Sequence, residues 1–117
     1  MIELAVPLGE RTYPVFVGAG ARHELASVLP PAAARAVVVT QVSVGVEVDP
    51  GRETLTCVID DGEQAKSLAT VEDLCRSWAR WGLTRSDVVV AVGGGLVTDV
   101  AGFAAAVYHR GVAVVYV

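Results

Sequence analysis

The segment Val88-Val89-Val90-Ala91-Val92-Gly93-Gly94-Gly95-Leu96-Val97-Thr98-Asp99 constrains the fold more than any other. A short, continuous, β-branched apolar run is the pattern of a strand covered on both faces. Three glycines break it, and Val97 to Tyr108 reads as an Ala-rich helix. Strand, glycine turn and helix in that order bring free backbone N–H groups and the positive end of a helix dipole to one point, where an anion is favoured. Glycine matters there because a Cβ would hold a diphosphate away from the backbone. The spacing is not Gly-x-Gly-x-x-Gly, and glycines also make tight strand-to-helix turns without any ligand. Spacing alone leaves both readings standing.

The remaining sequence alternates between two periods. Residues 2–8 and 12–18 are β-rich runs on either side of Gly9-Glu10 and predict a hairpin. Ala19 to Leu29 carries Ala21, Leu25, Val28 and Leu29 at helical spacing and stops at Pro30-Pro31. Ala36–Thr40 and Leu55–Ile59 are strand-like. Between them Val42, Val44, Val46 and Val48 alternate with polar or small residues, which favours a strand or extended loop over a helix. Ser67 is placed to cap a helix running to about Trp81, with Leu68, Val71, Leu74, Cys75 and Trp78 on one stripe and Gly82 as its stop. Val112 to Val117 opens a last strand. This alternation predicts an α/β fold: a Rossmann-like parallel sheet flanked by helices, with an N-terminal β-hairpin. Open α/β sheets bind ligands in the loops after their strands. The chain stops inside an apolar β-rich run, so a truncated unit, or one completed by a partner, is expected.

Composition sets the outer bounds. With 117 residues, 53% apolar and 19% charged, the chain is one domain or a piece of one, and too apolar for disorder. Nine Lys and Arg against 13 Asp and Glu give a net charge of −4, which argues against nucleic-acid binding. No run approaches the roughly 20 apolar residues of a membrane span, and Met1 to Pro7 lacks the basic start of a signal peptide. Cys57 and Cys75, far apart and without metal-type spacing, read as reduced thiols of a cytoplasmic protein. His23 and His109 are isolated, and no cluster has metal-ligand spacing. No Ser or Cys nucleophile with a plausible base stands out. Trp78 and Trp81 read as packing residues.

Two further groups are candidates. Asp99 falls in the first turn of the glycine-led helix. It either complements the dipole there or offers a carboxylate to ligand hydroxyls, turned away from any diphosphate. Asp61-Gly62-Glu63-Gln64-Ala65-Lys66 lies in a loop after a strand, where an α/β site is built. Glu63 and Lys66 at i, i+3 are equally consistent with a solvated ion pair. His109 and Arg110 close the last helix, and basic residues there complement its dipole.

In order and separation, Asp61-Gly62-Glu63-Gln64-x-Lys66-Ser67 and Gly93-Gly94-Gly95-x-x-x-Asp99-x-Ala101-Gly102-Phe103-Ala104-Ala105-Ala106-x-Tyr108-x-Arg110-Gly111 resemble 3-dehydroquinate synthase, a sugar-phosphate cyclase. The likeness is strong from Asp60 onward and weak before it. Glycerol and iron-type alcohol dehydrogenases share the triple glycine, but their Asp is usually followed by Ala and Lys.

The resemblance implies that residues 1–117 form an NAD-binding N-terminal domain, apparently truncated, whose metal-binding helical C-terminal domain is absent. The family converts 3-deoxy-D-arabino-heptulosonate 7-phosphate to 3-dehydroquinate and phosphate in the shikimate pathway, leading to chorismate and the aromatic amino acids. NAD transiently oxidises a secondary alcohol, phosphate is eliminated, hydride returns, and an intramolecular aldol step closes the ring. Carried over by position, Asp61, Gly62, Glu63, Gln64 and Lys66 would contact NAD, as would Gly94, Gly95, Leu96, Val97, Thr98 and Asp99. Arg110 would grip the phosphate of a sugar phosphate in a neighbouring subunit's site, in a homodimer. The family's divalent metal, zinc or cobalt, is held by a glutamate and two histidines of the absent domain. Neither a catalytic residue nor a metal ligand is expected within the chain, and the fragment alone is expected to be inactive.

One departure lies after the Ala36–Thr40 strand, where the family has Thr-Asp or Thr-Asn and then a helix. Here Gln41-Val42-Ser43-Val44 follows without a clear helix, which leaves Gln41 as the candidate for a ribose contact. The alternatives are another sugar-phosphate cyclase, of the 2-epi-5-epi-valiolone or 2-deoxy-scyllo-inosose synthase type, and a nucleotide-binding module without catalysis.

Overall fold

A computed structural model describes residues 1–117. The first two strands, β1 (Ile2–Val6) and β2 (Tyr13–Val17), form the expected antiparallel hairpin, with Ile2 opposite Val17 and Val6 opposite Tyr13. Thr12 closes its turn by accepting from Leu8 N–H and donating to the Gly9 carbonyl. Four parallel strands make the main sheet: β3 (Arg35–Thr40), β4 (Glu53–Val58), β5 (Val88–Ala91) and β6 (Ala113–Tyr116), in the order β4-β3-β5-β6. The helices are α1 (Leu25–Val28), α2 (Leu68–Trp81) and α3 (Gly95–Val107). The predicted fold class, a parallel α/β sheet with an N-terminal hairpin, is the observed one.

Period two decides which residues meet which layer. Val37, Val39, Val89 and Ala91 face α2 and α3, where they pack with Val71, Leu74, Trp78, Val100 and Ala104. Ala36, Val38, Val88 and Val90 turn to the opposite face, under Leu25, Leu29 and Ala33. All four residues of β5 are fully buried, which is why its sequence is a continuous apolar run. Trp78 meets Tyr108 edge-on with ring centroids 5.5 Å apart, and the Tyr108 hydroxyl donates to the Leu83 carbonyl at 2.8 Å.

Helix α2 begins and ends as its sequence predicts. Ser67 Oγ accepts from Thr70 N–H, and Gly82, left-handed at φ 85°, closes the last turn through Trp78 O and Ala79 O. Leu68, placed on the buried stripe from spacing, is instead 75% exposed at the first helical position. At the base of the sheet, buried Asp87 accepts from Thr84 N–H, the Thr84 hydroxyl and Arg35 N–H. Burial alone would raise its carboxyl, but the Thr84 and Arg35 donors with the Arg35 charge outweigh it and hold the group below the usual carboxylate value. Arg35 lies over the Trp81 ring, 4.1 Å from its centroid, and donates to the carbonyls of Trp81 and Gly82.

Two segments differ from expectation. The helix over Ala19–Leu29 shrinks to a 3-10 turn at Ala21–Glu24 and the single α turn of α1. Gly20, left-handed at φ 81°, delays its start, and Leu29 is already extended because Pro30 disfavours the α region before it. Of the two readings for Gln41–Arg52, the extended loop holds and the strand does not. A 3-10 turn at Val42–Val44 leads into irregular chain, broken by Gly45 (φ 62°) and by an Asx turn from Asp49 to Gly51.

Candidate functional site

Because the four strands are parallel, their C-terminal ends share one edge of the sheet. The chain leaves β3 toward β4 on one side and returns to β5 and β6 on the other, so the strand order reverses between β3 and β5. Open α/β sheets bind ligands at such a switch point. The loops after β3, β4 and β5 meet there. Thr40 Oγ1 donates to the Val92 carbonyl at 2.9 Å, Gln41 Nε2 donates to the Asp60 carbonyl at 2.9 Å, and Ser43 Oγ donates to Asp61 Oδ1.

The three glycines do different work. Gly93 sits at φ 148°, its N–H donates to the Val117 carbonyl at 3.1 Å, and a Cβ there would lie 2.9 Å from Val97 Cγ2 and 3.0 Å from Val44 Cγ2. It is a glycine of packing. Gly94 and Gly95 have nothing within 4 Å of a Cβ position, so the protein itself leaves that space open. The N–H groups of Gly94, Gly95, Leu96 and Val97 have no acceptor within the chain, and the first bond of α3 is Thr98 N–H to Gly94 O at 3.1 Å. Four convergent donors beside an unfilled space at a helix start form a cradle for an anion. Val97 offers only its amide, since its side chain is fully buried, and half-buried Leu96 leans on the core. Thr98 Oγ1 turns back to the Gly95 carbonyl at 3.1 Å.

Lys66 links the two motifs. Its Nζ lies 2.8 Å from Asp99 Oδ2, with both side chains more than half exposed or at half. The hydrogen bond to Asp99, then that carboxylate's charge, with a further contribution from Glu63, raises the Lys66 ammonium above its ordinary value. The local Glu63–Lys66 side-chain pair permitted by i, i+3 spacing is thus replaced by a pair across the site, and the Glu63 carboxylate makes no hydrogen bond or ion pair, while its carbonyl accepts from Lys66 N–H at 3.0 Å. Gln64 folds back, donating to the Asp61 carbonyl at 2.8 Å over Gly62, which is at φ 93°. Gln41 spends its amide N–H on the loop carbonyl of Asp60. Ser43, not singled out from sequence, anchors Asp61. The only prior signal for it was its place directly after a strand adjacent to β4.

Arg110 stands apart. It and His109 are consecutive non-glycine residues at φ 63° and 48°, just beyond α3. The His109 ring meets the Tyr108 ring edge-on, at 4.4 Å between centroids, while the Arg110 guanidinium has no hydrogen bond or ion pair. The 13 residues of α3 separate it from the glycine turn by about 20 Å at ~1.5 Å per residue. No three His, Cys, Asp or Glu side chains converge as metal ligands, and no helix is long and apolar enough to cross a membrane.

Residues 56–117 match the family described as 3-dehydroquinate synthase N-terminal. Over 114 residues the chain is 54% identical to a protein of Amycolatopsis mediterranei provisionally named aminodehydroquinate synthase, covering 97% of this chain and 32% of that protein. It is 40% identical over 123 residues to the 3-dehydroquinate synthase of Nitrobacter winogradskyi, covering 95% and 32% respectively. Among solved structures, it superposes on 2-epi-5-epi-valiolone synthase from Streptomyces hygroscopicus, with NAD⁺ and Zn²⁺ bound, at a TM-score of 0.68 and 31% identity, over 95% of this chain and 33% of that one. A 2-deoxy-scyllo-inosose synthase complexed with carbaglucose-6-phosphate, NAD⁺ and Co²⁺ superposes at a TM-score of 0.83 and 24% identity, over 99% and 35%, and supports the fold alone. The chain spans about a third of the length of these relatives. With its sheet, its switch-point loops and more than half of its residues matching, the chain belongs to the 3-dehydroquinate synthase family, in that family's N-terminal region.

Proposed function

We propose that residues 1–117 form the NAD-binding N-terminal domain of a cytoplasmic sugar-phosphate cyclase that converts 3-deoxy-D-arabino-heptulosonate 7-phosphate to 3-dehydroquinate and phosphate, a step of the shikimate pathway. One observation carries the reading: four unpaired amides, from Gly94 to Val97, facing space that the chain leaves open at Gly94 and Gly95. That cradle fits a dinucleotide diphosphate. When bound, NAD supplies reversible hydride transfer at a substrate alcohol.

The residues of this chain bind and orient. The amides of Gly94, Gly95, Leu96 and Val97 hold the diphosphate without any Cβ in its way. A bare carboxylate beside it would repel it, and Lys66, paired with Asp99, offsets part of that charge. Asp99 keeps its second oxygen for a ligand hydroxyl, and Thr98 borders it. Asp61, Gly62, Glu63 and Gln64 form the facing loop, steadied by Ser43 and Gln41. Arg110, exposed and unpaired, is suited to a phosphate in a neighbouring subunit's site of a homodimer. Zinc or cobalt would be held by residues outside this chain.

Calorimetric titration of the chain with NAD⁺ tests the reading. Saturable binding that is lost in Gly94→Val supports it, and absence of heat up to millimolar NAD⁺ defeats it.

A second reading, cyclisation of an amino analogue of the same substrate, is favoured by alignment length. The Amycolatopsis match uses 114 positions for 97% of the chain, almost without gaps. The Nitrobacter match uses 123 positions for 95%, or 111 residues, so 12 positions fall opposite gaps. The crossover from β3 to β4, a 3-10 turn and irregular chain where the resembled family has a helix, is the natural place for that shortfall. Phosphate release from both substrates by the chain extended to its relatives' length separates the two readings.

A further inference from the structure

Two walls flank the switch point: the loop from Asp61 to Lys66 and the glycine turn that starts α3. The only direct hydrogen bond between them runs from Lys66 Nζ to Asp99. That pair is exposed on both sides, and an exposed pair does little to fix the spacing of the groups that carry it. A second link runs through the end of β3. The Val44 N–H bond to the Gln41 carbonyl, at 3.1 Å, closes the turn that follows this strand. Within the turn, Ser43 and Val44 reach opposite walls. Ser43 Oγ donates to Asp61 Oδ1 at 2.5 Å, the length of a charge-assisted O–H···O⁻ bond. Val44 lays its Cγ2 against Gly93, 3.0 Å from where a Cβ would stand, and packs on the core beneath β3 and β5. Consecutive Cα atoms are held ~3.8 Å apart by the peptide unit, so the two walls are joined by a link one residue long.

The other bonds to the loop do not do the same work. Gln41 Nε2 donates to the Asp60 carbonyl and Gln64 Nε2 to the Asp61 carbonyl, so both hold main chain. The Asp61 carboxylate makes no ion pair, and Ser43 is its one hydrogen-bond partner. Resting on the NAD reading above, we propose that Ser43 is a positioning residue of the cofactor site. It sets the direction of the Asp61 carboxylate and, through Val44, its place relative to the glycine turn, before any cofactor arrives. One carboxylate oxygen is occupied by Ser43, and the other is presented to a ligand hydroxyl. An acceptor fixed in advance spares the ordering cost that a mobile one adds on binding. Ser43 acts through Asp61 and not on the cofactor.

Calorimetric titration with NAD⁺ tests the inference. Ser43→Ala is expected to weaken binding about five- to tenfold. Its melting temperature should stay within about 2 °C of the parent, since Ser43 is exposed. Ser43→Thr keeps the hydroxyl and should bind within about twofold of the parent. In an Asp61→Ala background, Ser43→Ala should cost nothing further, because the bond it removes is already gone. If the parent binds NAD⁺ and Ser43→Ala binds equally well, the inference is overturned while the NAD reading stands. An additive loss in the double variant also overturns it, by making Ser43 a contact in its own right, as does failure of Ser43→Thr to restore affinity. A parent that does not bind NAD⁺ overturns both.

Discussion

Lys66 Nζ lies 2.8 Å from Asp99 Oδ2 and so joins the loop after β4 to the first turn of α3 across 33 residues of sequence. The contact is exposed on both sides, which separates its contribution to folding from its contribution to binding. An exposed pair adds little to stability because water and salt screen it.

Lys66→Met is therefore expected to leave the melting temperature within about 2 °C of the parent. It should weaken NAD⁺ binding about tenfold or more, because Asp99 is then bare beside the diphosphate. Adding Asp99→Asn should recover part of that loss. Calorimetry on the two single variants and the double variant checks the cycle.

The glycines should respond with different signs. Gly93→Ala is expected to destabilise by about 1–3 kcal/mol, from a strained φ and from contacts with Val97 and Val44 that are too close. Gly95→Ala meets no neighbour and starts a helix, so stability should hold or rise by up to about 1 kcal/mol. Cofactor affinity should still fall as the Cβ enters the cradle. Thermal melts paired with NAD⁺ titrations distinguish the two positions.

Asp87 sets an acid limit. Its carboxyl is held below the ordinary 3.8 in the folded chain, so its stabilisation is present above that pH and is lost as pH falls through the lower, folded value. Asp87→Ala should cost about 1–3 kcal/mol at neutral pH by stranding the Thr84 and Arg35 donors. It should also flatten the acid limb of a stability–pH curve measured by urea denaturation.

Tyr108→Phe removes the bond to the Leu83 carbonyl while keeping the ring against Trp78. A loss of about 1 kcal/mol is expected, read as a shift of the urea midpoint with no change in slope.

The sheet and α2 were legible because burial writes itself into periodicity. Val88–Val92 could only be a covered strand, and Ser67 and Gly82 bracketed their helix. Periodicity failed where backbone chemistry overrode it. Gly20 and Pro30 squeezed the 19–29 helix to one turn, and Gly45 and Asp49 dissolved the alternating valines of 42–48. Within the site, the motif residues were visible one by one, but three identical glycines hid two different tasks. Gly93 is required by Val44 and Val97, whereas Gly94 and Gly95 are free of both. Nor could spacing show that Lys66 bypasses Glu63 for Asp99, since that choice depends on parallel strands delivering both loops to the same edge.

The corner at His109 and Arg110 has a consequence of its own. Left-handed backbone at two residues bearing Cβ atoms costs about 1–3 kcal/mol at each. The bend is held from outside, by Tyr108 buried before it and by the Val112 N–H bond to Ala105 after it. The direction in which the Arg110 side chain leaves the backbone is thus written in main-chain torsions, so loosening the buried Tyr108 anchor should swing that direction while trimming exposed side chains nearby should not.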